Sequence, residues 1–329
     1  VTVIEGLVGA VILAVLVLYA VLGGADFGGG VWDLLASGPR RDAQRDAVAR
    51  AIGPIWEVNH IWLILAVVLL FVCFPTVYAE LSIALHLPFT LLLLGIVLRG
   101  SAFVFRAYDH APGAERWWGR VFAGASTMSP LFLGVSVGAI ASGRASHGTP
   151  DPWAAWWAPM PLAVGGFALC LVVFLAATYL CAATDGDLRE DFRARALIAW
   201  AVAGGAAWGV LALAPGGAPF VWARVADQPL APLALGAVVV ASVAPAAALW
   251  RRRWRVARAA AVIHVAAVVA SWGGAQFPYL IPPTLTVHDA AAPAGVLTTT
   301  VVVLVGGLFV LVPAYVWLLR TFRASSLGG

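Results

Sequence analysis

Nine times between residues 3 and 319 the chain holds an apolar run long enough to cross a lipid bilayer. The runs are approximately 3–35, 54–73, 78–104, 118–142, 160–183, 196–214, 230–250, 257–276 and 296–319; a spanning helix needs about 20 residues. In hydrocarbon no water can satisfy a peptide group, so such runs are stable only as helices whose backbone bonds close within themselves. Composition agrees, with 62% hydrophobic and 11% charged residues, against about 45–50% and about 25% in a soluble domain. The fold class is therefore an all-α polytopic membrane protein, one membrane domain over residues 1–329. A soluble fold is excluded, and the net charge of +4 needs no nucleic acid to explain it. The first run is too long for the apolar core of a leader and lacks a basic flank, so it reads as a span.

Orientation follows from the basic residues, all twenty of which are arginine. Eighteen of them gather at loops and flanks on one side, from Arg40, Arg41, Arg45 and Arg50 to Arg320 and Arg323; only Arg144 and Arg224 lie on the other. The positive-inside rule then places the N-terminus outside and the C-terminus in the cytoplasm, which requires an odd number of spans. Between the first two spans, SGPRRDAQRDAVAR has the spacing of a short amphipathic helix on the membrane surface. Gly134 and Gly138 are spaced for close helix contact, and Pro130 in the same span is expected to kink it. DPWAAWWAPMP (151–161) reads as an interfacial aromatic anchor, and QFPYLIPPTLTVHD (276–289) as a proline-rich outer loop. Cys73, Cys170 and Cys181 show no metal-ligand spacing and read as small core hydrophobes.

One stretch breaks the apolar pattern. IGPIWEVNHIWLILAV (52–67) starts with Pro54, suited to a first helical turn, and then carries Glu57, Asn59 and His60 before the run becomes fully apolar. An ionisable group at the centre of a spanning helix costs about 2.5–3.5 kcal/mol, less near an end. Helical spacing puts Glu57 and His60 on one face and stacks Trp56 over His60. The orientation places Asp26, Glu57 and Arg99 at a similar depth near the cytoplasmic face. Either the two carboxylates and the guanidinium neutralise one another, or they line a proton entrance; a helix-end cluster with no chemistry is the plainer account. Of six histidines, His60, His86 and His264 lie in spans, at depths that do not make a haem-ligating pair, which leaves a single axial ligand as the alternative. No nucleotide-binding loop or cysteine cluster is present in the sequence.

These segments resemble subunit II of the cytochrome bd quinol oxidase family. ADFGGGVWDLL (25–35) is similar to the family's D-F-G-x-G segment and places Asp26 on its intramembrane acid. IGPIWEVNHIW (52–62) is similar to I-x-P-x-W-[DE]-x-N-x-x-W, matching Trp56, Glu57, Asn59 and Trp62. LRGSAFVFR (98–106) carries the family's arginine at Arg99, and SPLFLGVSVGAIASG (129–143) and ATYLCAATDGDL (177–188) match two further segments. The resemblance implies two four-helix bundles (1–142 and 160–276) and a ninth, peripheral helix (296–319). It implies a heterodimer in the bacterial cytoplasmic membrane with a haem-bearing subunit I, which holds haems b and d and oxidises quinol while dioxygen is reduced to water. This chain would then hold no catalytic or metal-ligating residue of its own. Glu57, Asp26 and His60 would form part of a proton path, with Trp56, Asn59, Trp62 and Arg99 holding its geometry. The resemblance also admits a bound quinone, membrane lipid and a small single-span third subunit as partners. One departure is that Gly23, Gly24 and Ala25 stand where the family often has an acidic-Gly-aromatic triplet.

Two other classes compete with this reading. A proton-coupled secondary transporter would use the same acids, although such proteins usually show repeats and paired broken helices, neither of which is evident here. A purely structural scaffold would need the acids only for assembly. Within the resemblance, a bd-like oxidase with a non-standard electron donor is a further alternative.

Overall fold

The computed structural model describes residues 1–52, 56–108, 113–146, 151, 153–227, 229 and 231–325; several side chains inside these ranges, including those of Trp56 and Glu57, lie outside the description. Twelve helices are formed in the described residues: α1 (Val3–Leu34), α2 (Arg41–Ile52), α3 (Trp56–Cys73), α4 (Pro75–Ala84), α5 (His86–Tyr108), α6 (Ala114–Ala141), α7 (Pro159–Ala183), α8 (Gly186–Gly217), α9 (Pro219–Ala226), α10 (Ala231–Trp250), α11 (Trp254–Gln276) and α12 (Ala294–Ser325). One antiparallel hairpin, β1 (Tyr279–Ile281) with β2 (Leu285–Thr286), lies between α11 and α12. Six of the helices are long and apolar enough to span a membrane, or seven if α3 and α4 count as one broken span.

The third expected span is the one that the structure divides. α3 and α4 meet at 118° across Phe74, and Pro75 occupies the first turn of α4, where its missing N–H leaves no ladder bond unmade. α4 ends at Leu85, whose N–H donates to Leu81 O, and α5 begins at His86 with Pro88 in its own first turn. The run 78–104 therefore holds most of a short helix and most of a long one. His86 sits at that break, exposed, with Nδ1 3.0 Å from Ile83 O. α2 is the amphipathic segment expected after the first span, and α6 continues as helix through Pro130, where the sequence predicts a kink. The expectation that rests on Pro54 falls outside the described residues, as do His110 and His147 of the six histidines.

α7 is the central post, packing on α1, α6, α8 and α11. Small residues allow the approach. A Cβ on Gly134 would stand 2.5 Å from the Ala168 Cβ, and one on Gly138 would stand 2.7 Å from the Pro161 Cα. A Cβ on Gly28 of α1 would collide with the Val172 carbonyl of α7. These are the close backbone contacts that small residues permit where lipid gives helices no hydrophobic reason to associate.

α1 threads two cores. Its first half contributes Val8 and Ile12 to a cluster with Leu69, Cys73, Phe74, Leu81 and Ile281. Its second half contributes Val21 and Trp32 to a cluster built on Phe174, Leu175 and Leu180 of α7 and Phe192 of α8. Between them lies a small cluster of Tyr19, Phe27 and Val172, with Trp62 packed against it. Large apolar residues face outward on α12, among them Val302, Val303 and Phe309, a surface suited to lipid or to another polypeptide. The loop before α7 packs Trp156 against Trp153 in a tilted pair and against Trp157 edge-to-face, at centroid distances of 5.2 and 5.5 Å, with Trp153 and Trp157 exposed.

Candidate functional site

The polar residues of the apolar runs converge where α1 passes from one core to the other. Asp26 of α1 accepts from Arg99 Nη2 of α5 at 2.5 Å, and both side chains are almost wholly buried. The same nitrogen lies 3.4 Å from Asp26 O, and Arg99 Nε donates to Ser126 Oγ of α6 at 3.0 Å. The guanidinium is sandwiched by rings, 5.3 Å from the centroid of Phe27 and 5.0 Å from that of Phe122. The sequence makes room for this. Gly30, one turn beyond Asp26, carries no Cβ because Ser126 Oγ stands in its place, and α5 closes on α6 where a Cβ on Gly95 would meet Ser129 Oγ. A charge buried this deeply is tolerated when paired and hydrogen-bonded.

α3 supplies the next layer. Asn59 is 3% exposed and donates through Nδ2 to Leu22 O at 3.3 Å. His60 Nδ1 lies 3.5 Å from the Tyr19 hydroxyl, and its ring packs against those of Tyr19 and Phe27. Three buried polar atoms here have no hydrogen-bond partner among the described residues: Asp26 Oδ2, His60 Nε2 and Trp62 Nε1. Leaving such an atom unpaired costs about 1–3 kcal/mol, a burden seldom carried without use.

Of the residues singled out in the sequence, Asp26, Asn59, His60, Trp62 and Arg99 are brought together. Trp56 and Glu57 begin α3, with side chains outside the described residues. Sequence reasoning missed Tyr19, Phe122 and Ser126, which look like ordinary span residues. It also missed Asp33, two turns below Asp26, which is 2% exposed and accepts from Arg106 Nη1 at 3.3 Å through both oxygens, with Arg45 Nε 3.9 Å away. An aspartate inside an apolar run was the available signal.

Around this site the loops are cross-tied. Arg40 donates to Asp191 at 2.6 and 2.8 Å, and that hydrogen bond raises its pKa further above the ordinary arginine value. Gln44 and Arg195 complete the tie between α2 and α8. At the other end of α1, Glu5 closes a capping box with Thr2 and lies 3.0 Å from His288 Nδ1. Next to His288, bonds from the Thr286 hydroxyl and N–H hold the Asp289 carboxyl below its usual range.

The described histidines lie in four different settings. His60 sits in its ring cluster, His264 is buried in the core on α11, His86 is exposed and His288 is engaged by Glu5. Among the described residues there is no group of three metal-ligating side chains. An apolar cleft of about 450 Å³ opens between α3 and α12, lined by Val68, Leu69, Val72, Val296, Thr300 and Val303.

The family model described as cytochrome bd terminal oxidase subunit II matches residues 5–322. A relative from Bacillus subtilis (strain 168), cytochrome bd ubiquinol oxidase subunit 2, is 35% identical over 115 residues, 35% of this chain and 33% of that one. Cytochrome bd-I ubiquinol oxidase subunit 2 of Escherichia coli (strain K12) is 28% identical over 194 residues, 56% of this chain and 50% of that one. The chain thus aligns with a third to a half of the length of these curated relatives. A chain in the structure of bd oxidase from Geobacillus thermodenitrificans superposes with a TM-score of 0.82 at 20% identity, covering 98% of this chain and 99% of that one, which shows a shared fold. With the model spanning nearly the whole sequence and the fold matched along its length, the chain belongs to the cytochrome bd terminal oxidase subunit II family.

Proposed function

We propose that this chain is the subunit of a bd-type quinol oxidase that steadies a haem-bearing subunit I and supplies part of a cytoplasmic proton path. The complex would oxidise a quinol and reduce dioxygen to water, with haems b and d in the partner. In the bacterial cytoplasmic membrane the spans would be α1, α3, α5, α6, α7, α8, α10, α11 and α12, nine in all. α1, α3, α5 and α6 would form one bundle and α7, α8, α10 and α11 the other, with α12 peripheral. The arginine bias supports an N-terminus outside. The apolar cleft between α3 and α12 suits the isoprenoid tail of a bound quinone. Membership of an oxidase family weighs against the transporter reading.

The observation that carries the proton path is Asp26: one carboxylate oxygen is fixed by Arg99, and the other is buried with no partner among the described residues. The second oxygen is then the one that takes and gives the proton. Glu57, at the start of α3, would collect the proton and Asp26 relay it, while His60 and Tyr19 border the relay and Trp56, Asn59, Trp62 and Arg99 hold its geometry. Glu57→Gln in the assembled complex is expected to slow oxygen consumption several-fold with haem content retained. Unchanged turnover with intact haems would remove Glu57 from the path.

A further inference from the structure

α1 and α5 are joined twice, in a single register. Asp26 meets Arg99 and Asp33 meets Arg106, and in both pairs the partners are 73 residues apart in the chain. Seven residues advance a helix by about 10.5 Å and return it to within about 20° of the same face. The two acids therefore lie on one stripe of α1, the two arginines lie on one stripe of α5, and the helices run parallel. Gly30 lies between the acids and lets Ser126 of α6 reach the seam, where Ser126 accepts from Arg99.

We propose that Asp33 and Arg106 are positioning residues for the Asp26–Arg99 pair. One ion pair tolerates sliding of α5 along α1 as long as the long arginine side chain can follow. Two pairs at a fixed separation do not, because a shift of one turn, about 5.4 Å, breaks both together. The lower pair is the more open one, with Arg106 and Arg45 side chains 23% and 27% exposed around the buried Asp33. It anchors the end of the seam nearest to solvent and keeps the Arg99 guanidinium seated on the buried carboxylate. Arg45 of α2 is the second cation at Asp33, so replacing Arg106 leaves that acid one counter-charge. Replacing Asp33 would instead set two arginines against each other, which makes Arg106 the better position to vary.

The inference rests on the reading of Asp26 as a relay, and its test is made in the whole oxidase. Arg106→Gln is expected to slow oxygen consumption several-fold with haem content retained, and Arg106→Lys to recover most of the rate. The pH profile of turnover should move as it does in Arg99→Lys; the charged groups facing Asp33 among the described residues are Arg106 of α5 and Arg45 of α2. Adding Arg106→Gln to Arg99→Lys should cost little more, because its effect is delivered through Arg99. Wild-type turnover and pH profile in Arg106→Gln would overturn the proposal, as would haem loss that Arg106→Lys does not repair. If Glu57→Gln and Arg99→Lys slow the enzyme while Arg106→Gln does not, this inference alone fails; if none of them does, the proton path fails with it.

Discussion

Arg99 is 1% exposed in the middle of an apolar helix bundle, and its neighbours make that tolerable. Its charge is met by Asp26, its Nε by Ser126 and its faces by Phe27 and Phe122. Removing one partner of a buried pair leaves the other uncompensated, at a cost of about 3–5 kcal/mol. Arg99→Ala is therefore expected to lower the thermal midpoint of the purified complex sharply. Arg99→Lys, which keeps the charge and loses the planar fork, should lower it much less; equal losses would mean that the charge is not what matters. Asp26, Asn59, His60 and Arg99 were legible in the sequence because ionisable and amide groups are expensive in hydrocarbon. Tyr19 and Phe122 were not, since an aromatic residue in a span is unremarkable until a neighbour is seen.

At the scale of helices, missing side chains decide where α1, α6 and α7 can touch. Gly28→Ala would press a methyl group into the Val172 carbonyl, and overpacking of this kind costs about 1–3 kcal/mol. The measurement is the thermal midpoint of the complex, with Gly166→Ala as control. Gly166 lies on α7 with nothing within 4 Å of its would-be Cβ, so that change should not lower the midpoint, alanine being the better helix former. The G-x-x-x-G spacing in α6 pointed to a contact, and the contact is with α7. The split of the expected third span was less visible. Hydropathy runs smoothly across Leu85, and only Pro75 and Pro88, each in a first turn, mark where one helix stops and the next starts.

For the whole molecule, the arginine distribution makes a claim about sidedness. Arg41→Cys and Asp227→Cys, both at exposed positions in loops or helix ends, should differ towards a membrane-impermeant thiol reagent. The cysteine at 227 is expected to label in intact cells, and that at 41 only after the membrane is opened. The reverse pattern would invert the orientation read from the positive-inside rule. The cross-tie of Arg40 and Gln44 to Asp191 would then belong to the cytoplasmic rim; exposed ion pairs of this sort contribute about 0–1 kcal/mol, and its use is to link the two halves of the chain.

The sequence by itself determined that the chain is a bundle of membrane helices, because apolar runs of that length have no other way to satisfy their peptide groups. It also determined which side chains were too polar to face lipid. Only the tertiary structure decided that Asp26 and Arg99 are one pair, that α7 stands at the centre, and that Asp33 and Arg106 repeat the upper pair at the same 73-residue offset. Helical periodicity is a local property and fixes the face on which a residue lies. Which two faces meet, and at what register, depends on packing between segments far apart in the chain.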